Sequence, residues 1–419
     1  MTRRRALRAA LLASASLALA APEARAGAFQ IREGSAAAQG ASFAGRTSGD
    51  RDVSYALHNP AALRSVETLE MSLGAAGIIA TGDAEAEASV PGFESTGDPN
   101  EIALVPSTAF GWRAHEQVVF GLAIDAPFGL ATKYDDDFVG SFDGVESELV
   151  NIAVTPLVAV QPTQDFAIGA GLTLSYADAK LTNRTARGEV SSLEGDDFAF
   201  GFTIGALFDV VEGTTLGLAF QSGVSHTLEG DLSDNYFLPN PAAPNDPAQA
   251  IGVGGPGEAG LDLPFVLSVG LTQAVTETAR VMAEAEYVGW SSFESIDIFS
   301  ETLGATFSEE QNYDNSFMLA VGGEYDVTDT LTLRTGVAWD QSPTSDAWRT
   351  VRVPDADRVW ISAGASWDVT DAIGVDVAYS YLHFMDASVE LRNGPAAGST
   401  VNYNDSAAHI VGINGRYRW

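Results

Sequence analysis

Arg334, Lys180 and Arg184 are the residues best placed to do chemistry, and that chemistry would be the holding of an acidic head group. Leu331, Leu333, Val337 and Trp339 alternate with Thr332, Arg334, Ala338 and Asp340, so Arg334 falls on the small or polar side of an extended chain. A cation there would offset the cost of a carboxylate in an apolar surrounding. Lys180 and Arg184 stand near the end of an earlier alternating run. For each cation the ordinary alternative is an ion pair with an acid such as Glu284, Glu286 or Glu324, and Arg358 has Asp355 and Asp357 close by. Nothing points to a reaction centre. His58, His115, His226, His383 and His409 are the only histidines, and none sits in a nucleophile or metal motif, although a closed fold could bring a distant Ser and His together. The chain has no cysteine, which removes disulfides and thiolate metal sites. Asp135, Asp136 and Asp137 lack the ligand spacing of a calcium loop. No enzyme, cofactor or metal is expected.

The elements that position these residues begin after a leader. Arg3, Arg4, Arg5 and Arg8 precede the apolar run Ala9 to Ala21, and Ala24, Arg25, Ala26 fit a small-residue cleavage site, so residues 1–26 read as a signal peptide. The net charge of −34 makes nucleic acid an improbable partner and fits solvated acidic loops. No later stretch approaches the ~20 consecutive apolar residues of a spanning helix.

Alternation recurs down the chain. Phe198, Phe200, Phe202, Ile204, Ala206, Phe208 and Val210 alternate with Ala199, Gly201, Thr203, Gly205, Leu207 and Asp209, and similar sets recur at 166–177 and 265–272. One face is bulky and apolar while the other is small or polar, with only two lysines, Lys133 and Lys180, in the whole chain. A soluble sandwich would show the same period but would cover its wet face with Lys and Glu. Short turns, as in "DVTDT" at 326 and "DVTDA" at 368, alternate with long connections near 84–100, 128–146, 183–195 and 230–258. This spacing predicts an all-β protein, an antiparallel transmembrane barrel of fourteen strands beginning near 67, 101, 116, 147, 163, 195, 213, 259, 277, 312, 329, 356, 371 and 401. Trp112, Tyr176, Tyr287, Trp339, Trp367 and Tyr379 could form interfacial girdles.

Residues 27–66 show no strand alternation and many small side chains; two short helices are expected, one with Asn59 as N-cap and Pro60 at its first position. The segment reads either as a free tail or as packing inside the barrel. Its "GAFQIREGSAAAQGASFAG" and "NPAAL", the central "APFGLATKYDDDFVGSF" with "SELVNIAVTPLVAV", then "RTGVAWDQSP" and "VPDADRVWISAG", in this order resemble the FadL-type outer-membrane transporters of long-chain fatty acids and other hydrophobic compounds, toluene and related hydrocarbons included. The resemblance spans essentially the whole mature chain.

What the resemblance implies is specific. Residues 27–66 would be a hatch, partly helical, that plugs the barrel of residues 67–419, with Asn59, Pro60 and Ala61 in the hatch motif. Phe29 and Ile31 would reach a ligand pocket, or else pack the hatch against the wall. Pro127, Phe128, Gly129 and Leu130 match a kink in the third strand, through which cargo leaves sideways into the membrane; Pro and Gly are residues that interrupt pairing. The expected function is passive outer-membrane transport of fatty acids or other hydrophobic compounds by a monomer touching outer-membrane lipid. Val411, Ile413, Tyr417 and Trp419 on the last strand resemble the signal read by the outer-membrane assembly machinery. The rivals are a water-filled general porin and a hydrocarbon-specific channel.

Overall fold

The computed structural model describes residues 28–99, 102–185, 188–233, 237–238, 251–252 and 254–419; the leader expected over 1–26 lies outside them. Fourteen antiparallel strands make one wall. They are β1 Leu69–Thr81, β2 Ile102–His115, β3 in two pieces Val118–Asp125 and Gly129–Lys133, β4 Glu146–Thr163, β5 Phe166–Arg184 and β6 Val190–Val211. Three further strands are each in two pieces: β7 Thr214–Gln221 and Val224–Leu232, β8 Gly255–Leu263 and Val266–Ala274, and β9 Ala279–Val288 and Ser295–Ser300. The wall ends with β10 Ala305–Glu310 and Ser316–Thr328, β11 Leu331–Asp340, β12 Arg358–Asp368, β13 Ile373–Phe384 and β14 Ala407–Arg418. β14 pairs with β13 on one side and with β1 on the other, Glu70 opposite Arg418 through Thr81 opposite Ala407, which closes the barrel and leaves no terminal edge. The last strand starts at 407 rather than near 401, because Thr400–Tyr403 joins Ala387–Glu390, Ala84–Ala86 and Thr96–Gly97 in a small separate sheet.

The apolar face points outward, as its composition requires of a wall bathed in hydrocarbon. Phe200 is 79% exposed and Leu172 72%, while Ser175 and Ala177 on the alternate face of β5 are buried. The break in β9 resumes in phase, Glu286 and Val288 before it and Ile298 and Ser300 after it all facing inward, whereas in β7, β8 and β10 the inward set changes parity, as from Ala219 to His226 and Leu228. At the β8 break Pro264 lacks a ladder donor. At the β7 break Ser222 stitches the wall instead of regular pairing, its N–H donating to the Phe202 carbonyl at 2.9 Å and its Oγ accepting from the Phe202 N–H at 2.9 Å.

The barrel is filled by its own N-terminal segment. Ala36–Gln39 is one helical turn capped by Ser35, and Val53–Leu57 and Pro60–Ser65 are 3-10 turns capped by Asp52 and Asn59. Thus one of the two expected helices is a single turn and the other is 3-10. The small inner face of the wall is shaped for this contact. A Cβ on Gly336 would lie 2.0 Å from the Ala41 carbonyl oxygen, and one on Gly205 would lie 2.0 Å from Asn59 Oδ1. Small inward residues thus serve close approach of the segment, where a water-filled bore would need no such spacing.

Candidate functional site

Two cavities lie inside the barrel, stacked along its axis and divided by the first residues of the N-terminal segment. The upper one, nearer the long loops, spans about 770 Å³ including space open to solvent and is lined largely by apolar side chains, among them Leu130, Leu149, Leu228, Leu261 and Phe293. Phe29 forms part of it. Its ring is buried and packs edge-on to Trp290 at 4.6 Å, Phe293 at 5.4 Å and Phe128 at 6.2 Å. The lower cavity, about 910 Å³, is lined by Gln30, Ile31, Ala126, Pro127, Phe128 and a ring of polar wall residues such as Thr155, Thr173 and Ser268. The expected pocket position of Phe29 and Ile31 thus divides between two spaces, Phe29 facing the upper and Ile31 the lower.

The wall of the lower cavity is incomplete. β2 is paired with β1 from Ile102 onward, yet its pairing with β3 begins only at Thr108, opposite Ile124. Residues Ile102 to Ser107 therefore have no β3 partner, because the chain leaves the wall at Ala126–Phe128 and returns at Gly129 against β4. The displaced stretch finds its partner inside. Ile31 N–H donates to the Pro127 carbonyl at 2.8 Å and Gly129 N–H to the Phe29 carbonyl at 2.8 Å, with Gln30 and Phe128 bridged between them. Backbone groups cannot stay unpaired in an apolar surrounding, so the N-terminal segment supplies what β2 does not. Pro127 supplies only an acceptor here, so its missing donor costs nothing.

Arginines tie the segment to buried acids on β9 to β11. Arg32 pairs with Glu286 at 2.8 Å and Asp340 at 3.1 Å, Arg46 with Glu286 and, at 3.8 Å, Glu284, and Arg51 with Glu324 at 3.1 Å and Asp326 at 3.0 Å. The Ala28 N–H donates to Asp355 at 2.9 Å, and Asp355 is held in turn by Arg358 and Ser342. Burial raises the Asp355 carboxyl against the pull of Arg358. Arg358 pairs with Asp355, as one of its two expected partners, and also with Asp340 at 2.6 Å. Asn59 accepts from the Ala61 N–H at 3.0 Å and donates to the Thr47 carbonyl at 2.7 Å and to the Ala206 carbonyl of β6 at 3.2 Å. Pro60 and Ala61 follow it against Gly169 of β5.

The three cations singled out for a head group are engaged elsewhere. Arg334 does face inward, but it is buried near the short-turn end, pairs with Glu324 at 2.9 Å and donates to Ser366, and lines neither cavity. Lys180 faces out of the wall beside Glu146 at 2.8 Å. Arg184 donates to the Asp136 carbonyl at 2.7 Å and lies over the Phe93 ring. The cation that does line the upper cavity is Arg352, which donates to Ser147 at 3.0 Å and to the Thr182 carbonyl at 2.9 Å while its Nε stays buried without a hydrogen-bond partner. Its signal was its place in the loop segment "VRVPDADRVW", six residues before Arg358.

A serine and a histidine do meet. Ser175 Oγ is 3.0 Å from His226 Nε2, and His226 Nδ1 is 3.3 Å from Asp197. Yet Nδ1 makes no aligned hydrogen bond, Asn151 also donates to Ser175 at 2.7 Å, and both Ser175 and His226 are buried. Geometry of this kind holds β5, β6 and β7 together beside the break in β7 and offers no approach to a substrate.

The sequence pattern of the family described as "Outer membrane protein transport protein (OMPP1/FadL/TodX)" matches residues 17–419. The chain is 29% identical to the 47 kDa outer membrane protein of Pasteurella multocida, over 98% of each. It is 25% identical to the long-chain fatty acid transport protein of Escherichia coli K12, over 91% of this chain and 92% of that one. Among solved structures, a Pseudomonas aeruginosa FadL homologue superposes with a TM-score of 0.80 at 23% identity, over 94% of this chain and 99% of that one. The Ralstonia pickettii toluene transporter TbuX does so with a TM-score of 0.66 at 18% identity, over 90% and 98%.

Proposed function

The chain belongs to the OMPP1/FadL/TodX family of outer-membrane transport proteins, and from that premise we propose how its two cavities move a cargo. It is a β-barrel of the outer membrane that transports hydrophobic compounds, and it is not an enzyme. Residues 1–26 are removed on export, residues 27–66 act as the hatch, and residues 67–419 form the barrel, which works as a monomer with lipid against its exposed apolar face. The last strand, with Val411, Ile413, Tyr417 and Trp419, is the element offered to the assembly machinery.

Cargo enters from the long-loop side into the upper cavity, where Arg352 meets its polar end and the apolar lining holds the rest. It then passes Phe29 into the lower cavity and leaves through the gap beside Pro127–Gly129 into the bilayer. Each methylene kept out of water on this route saves about 0.8 kcal/mol, so a gradient suffices to drive it. The observation that carries this reading is the backbone pairing of residues 29–31 with 127–129. The same residues that divide the cavities also hold the displaced stretch 127–129 away from β2, so one displacement of the segment opens both passages together.

The test is where cargo arrives. Proteoliposomes given a pyrene-labelled hydrocarbon from outside should show excimer fluorescence growing in the bilayer, and Gly129→Val should slow it while the barrel still assembles. Arrival in the liposome lumen, or equal rates for the variant, contradicts lateral exit.

A further inference from the structure

The charges lining the two cavities bear on which hydrophobic molecules pass, and the point rests on the transport route proposed above. Asp125 ends the first piece of β3, immediately before the gap, on the inward face with Val119 and Ala123. It lines the lower cavity, and among the described residues no hydrogen bond or ion pair reaches its carboxylate. Two hatch groups with unused capacity line the same space. Arg46 Nε has no hydrogen-bond partner, Glu284 standing 3.8 Å away, and His58 Nε2 is buried without one. Burial, and then the positive charge of Arg46, holds His58 down to about 3, so its ring is neutral.

An acceptor carboxylate lining the cavity suits a ligand group that donates. A hydroxyl does so and a carboxylate does not. The surrounding charge points the same way. The lower cavity sets Arg32 and Arg46 against Glu33, Asp125 and Glu286. An anion would meet an acidic excess there. We infer that Asp125 is a specificity residue at the lateral mouth, selecting hydrophobic molecules with a neutral hydroxyl head, long-chain alcohols or alkylphenols, over the matching carboxylates. The hydroxyl donates to Asp125.

The experiment is competition for the detergent-purified full chain among hexadecanol, hexadecanoate and hexadecane, in buffer alkaline enough to ionise the acid, with bound ligand read by mass spectrometry. Wild-type protein should retain the alcohol over the carboxylate by roughly tenfold, a difference of about 1.4 kcal/mol. Asp125→Asn and Asp125→Ser, checked as folded by heat-modifiable gel mobility, should each bring that ratio to within about twofold by raising carboxylate retention, since the repelling charge is gone. Indifference or a carboxylate preference in the wild type, or an unchanged ratio in both variants, overturns the inference. If hexadecane is retained while the alcohol has no advantage, the head-group selection alone fails; if none of the three is retained, the transport reading fails with it.

Discussion

Deleting residues 27–61 should turn a closed protein into a cation-selective pore. The deletion removes Arg32, Arg46 and Arg51, and among the described residues Arg32 and Arg46 are the cations that face Glu284 and Glu286. Glu324 and Asp340 keep wall partners in Arg280, Arg334 and Arg358. Two uncompensated carboxylates would then face water. At a distance on the order of 8 Å from the axis, each acts on a monovalent ion by about 0.5 kcal/mol at the dielectric of water. Together they separate a cation from an anion by about 2 kcal/mol unscreened, roughly thirtyfold. A Debye length of about 10 Å at 0.1 M lowers this to about fivefold, and one of about 3 Å at 1 M brings it near unity. The assay is the reversal potential across a planar bilayer under a KCl gradient at both salt levels. A pore without cation preference at low salt, or one still selective after Glu284→Gln with Glu286→Gln, would refute the charge assignment. A deletion as closed as the intact chain would refute the plug.

Three further outcomes follow from particular contacts. Phe29→Ala removes the ring between the cavities and its contacts with Trp290, Phe293 and Phe128; cargo should pass faster and be held less, while barrel melting falls by the equivalent of up to about 3–5 kcal/mol, read by heat-modifiability and ligand retention. A Cβ on Gly129 would lie 2.7 Å from Ile31 Cδ1, so Gly129→Val should press on the segment that shares its backbone bonds and slow delivery; normal uptake would separate the gap from transport. Arg334→Ala should lower stability by about 1–3 kcal/mol, less than a fully orphaned partner because Glu324 keeps Arg51 and Arg280, and should affect carboxylate and hydrocarbon cargo equally. A selective loss of carboxylate uptake would restore a head-group role that the geometry does not support.

The strands were legible because lipid and a packed interior impose opposite demands on alternate residues, and Phe200 and Ser175 obey them. Even the partner of Arg334 was within reach. Glu324 was among the acids weighed for Arg334, and the β10–β11 register, with its irregularity between Asp326 and Thr328, sets the two directly opposite. The break in β9 was not legible, since an interruption that returns in phase leaves the period intact; those in β7 and β10 change the parity of the inward set, from Ala219 to Leu228 and from Phe307 to Met318, and that change is the signal that could mark them. Nor was the role of the inward glycines: Gly336 and Gly205 read as generic small residues, and only the segment pressed against them supplies the reason. The kink stretch was marked by Pro127 and Gly129, but its partner, residues 29–31, is distant in sequence and has no strand pattern of its own. Asp125 carried no signal, because one acid at the end of a strand looks like any solvated acid until its surroundings are known.

The most direct measurement is photocrosslinking of a hydrophobic diazirine-bearing cargo to the protein in a bilayer, with labelled peptides sequenced. Labels should fall on Phe29 and Trp290, on Ala126 to Phe128, and on the unpaired edge Ile102 to Ser107. Labels at the short turns with none along that edge would mean that the cargo runs straight through the barrel and that no side exit exists.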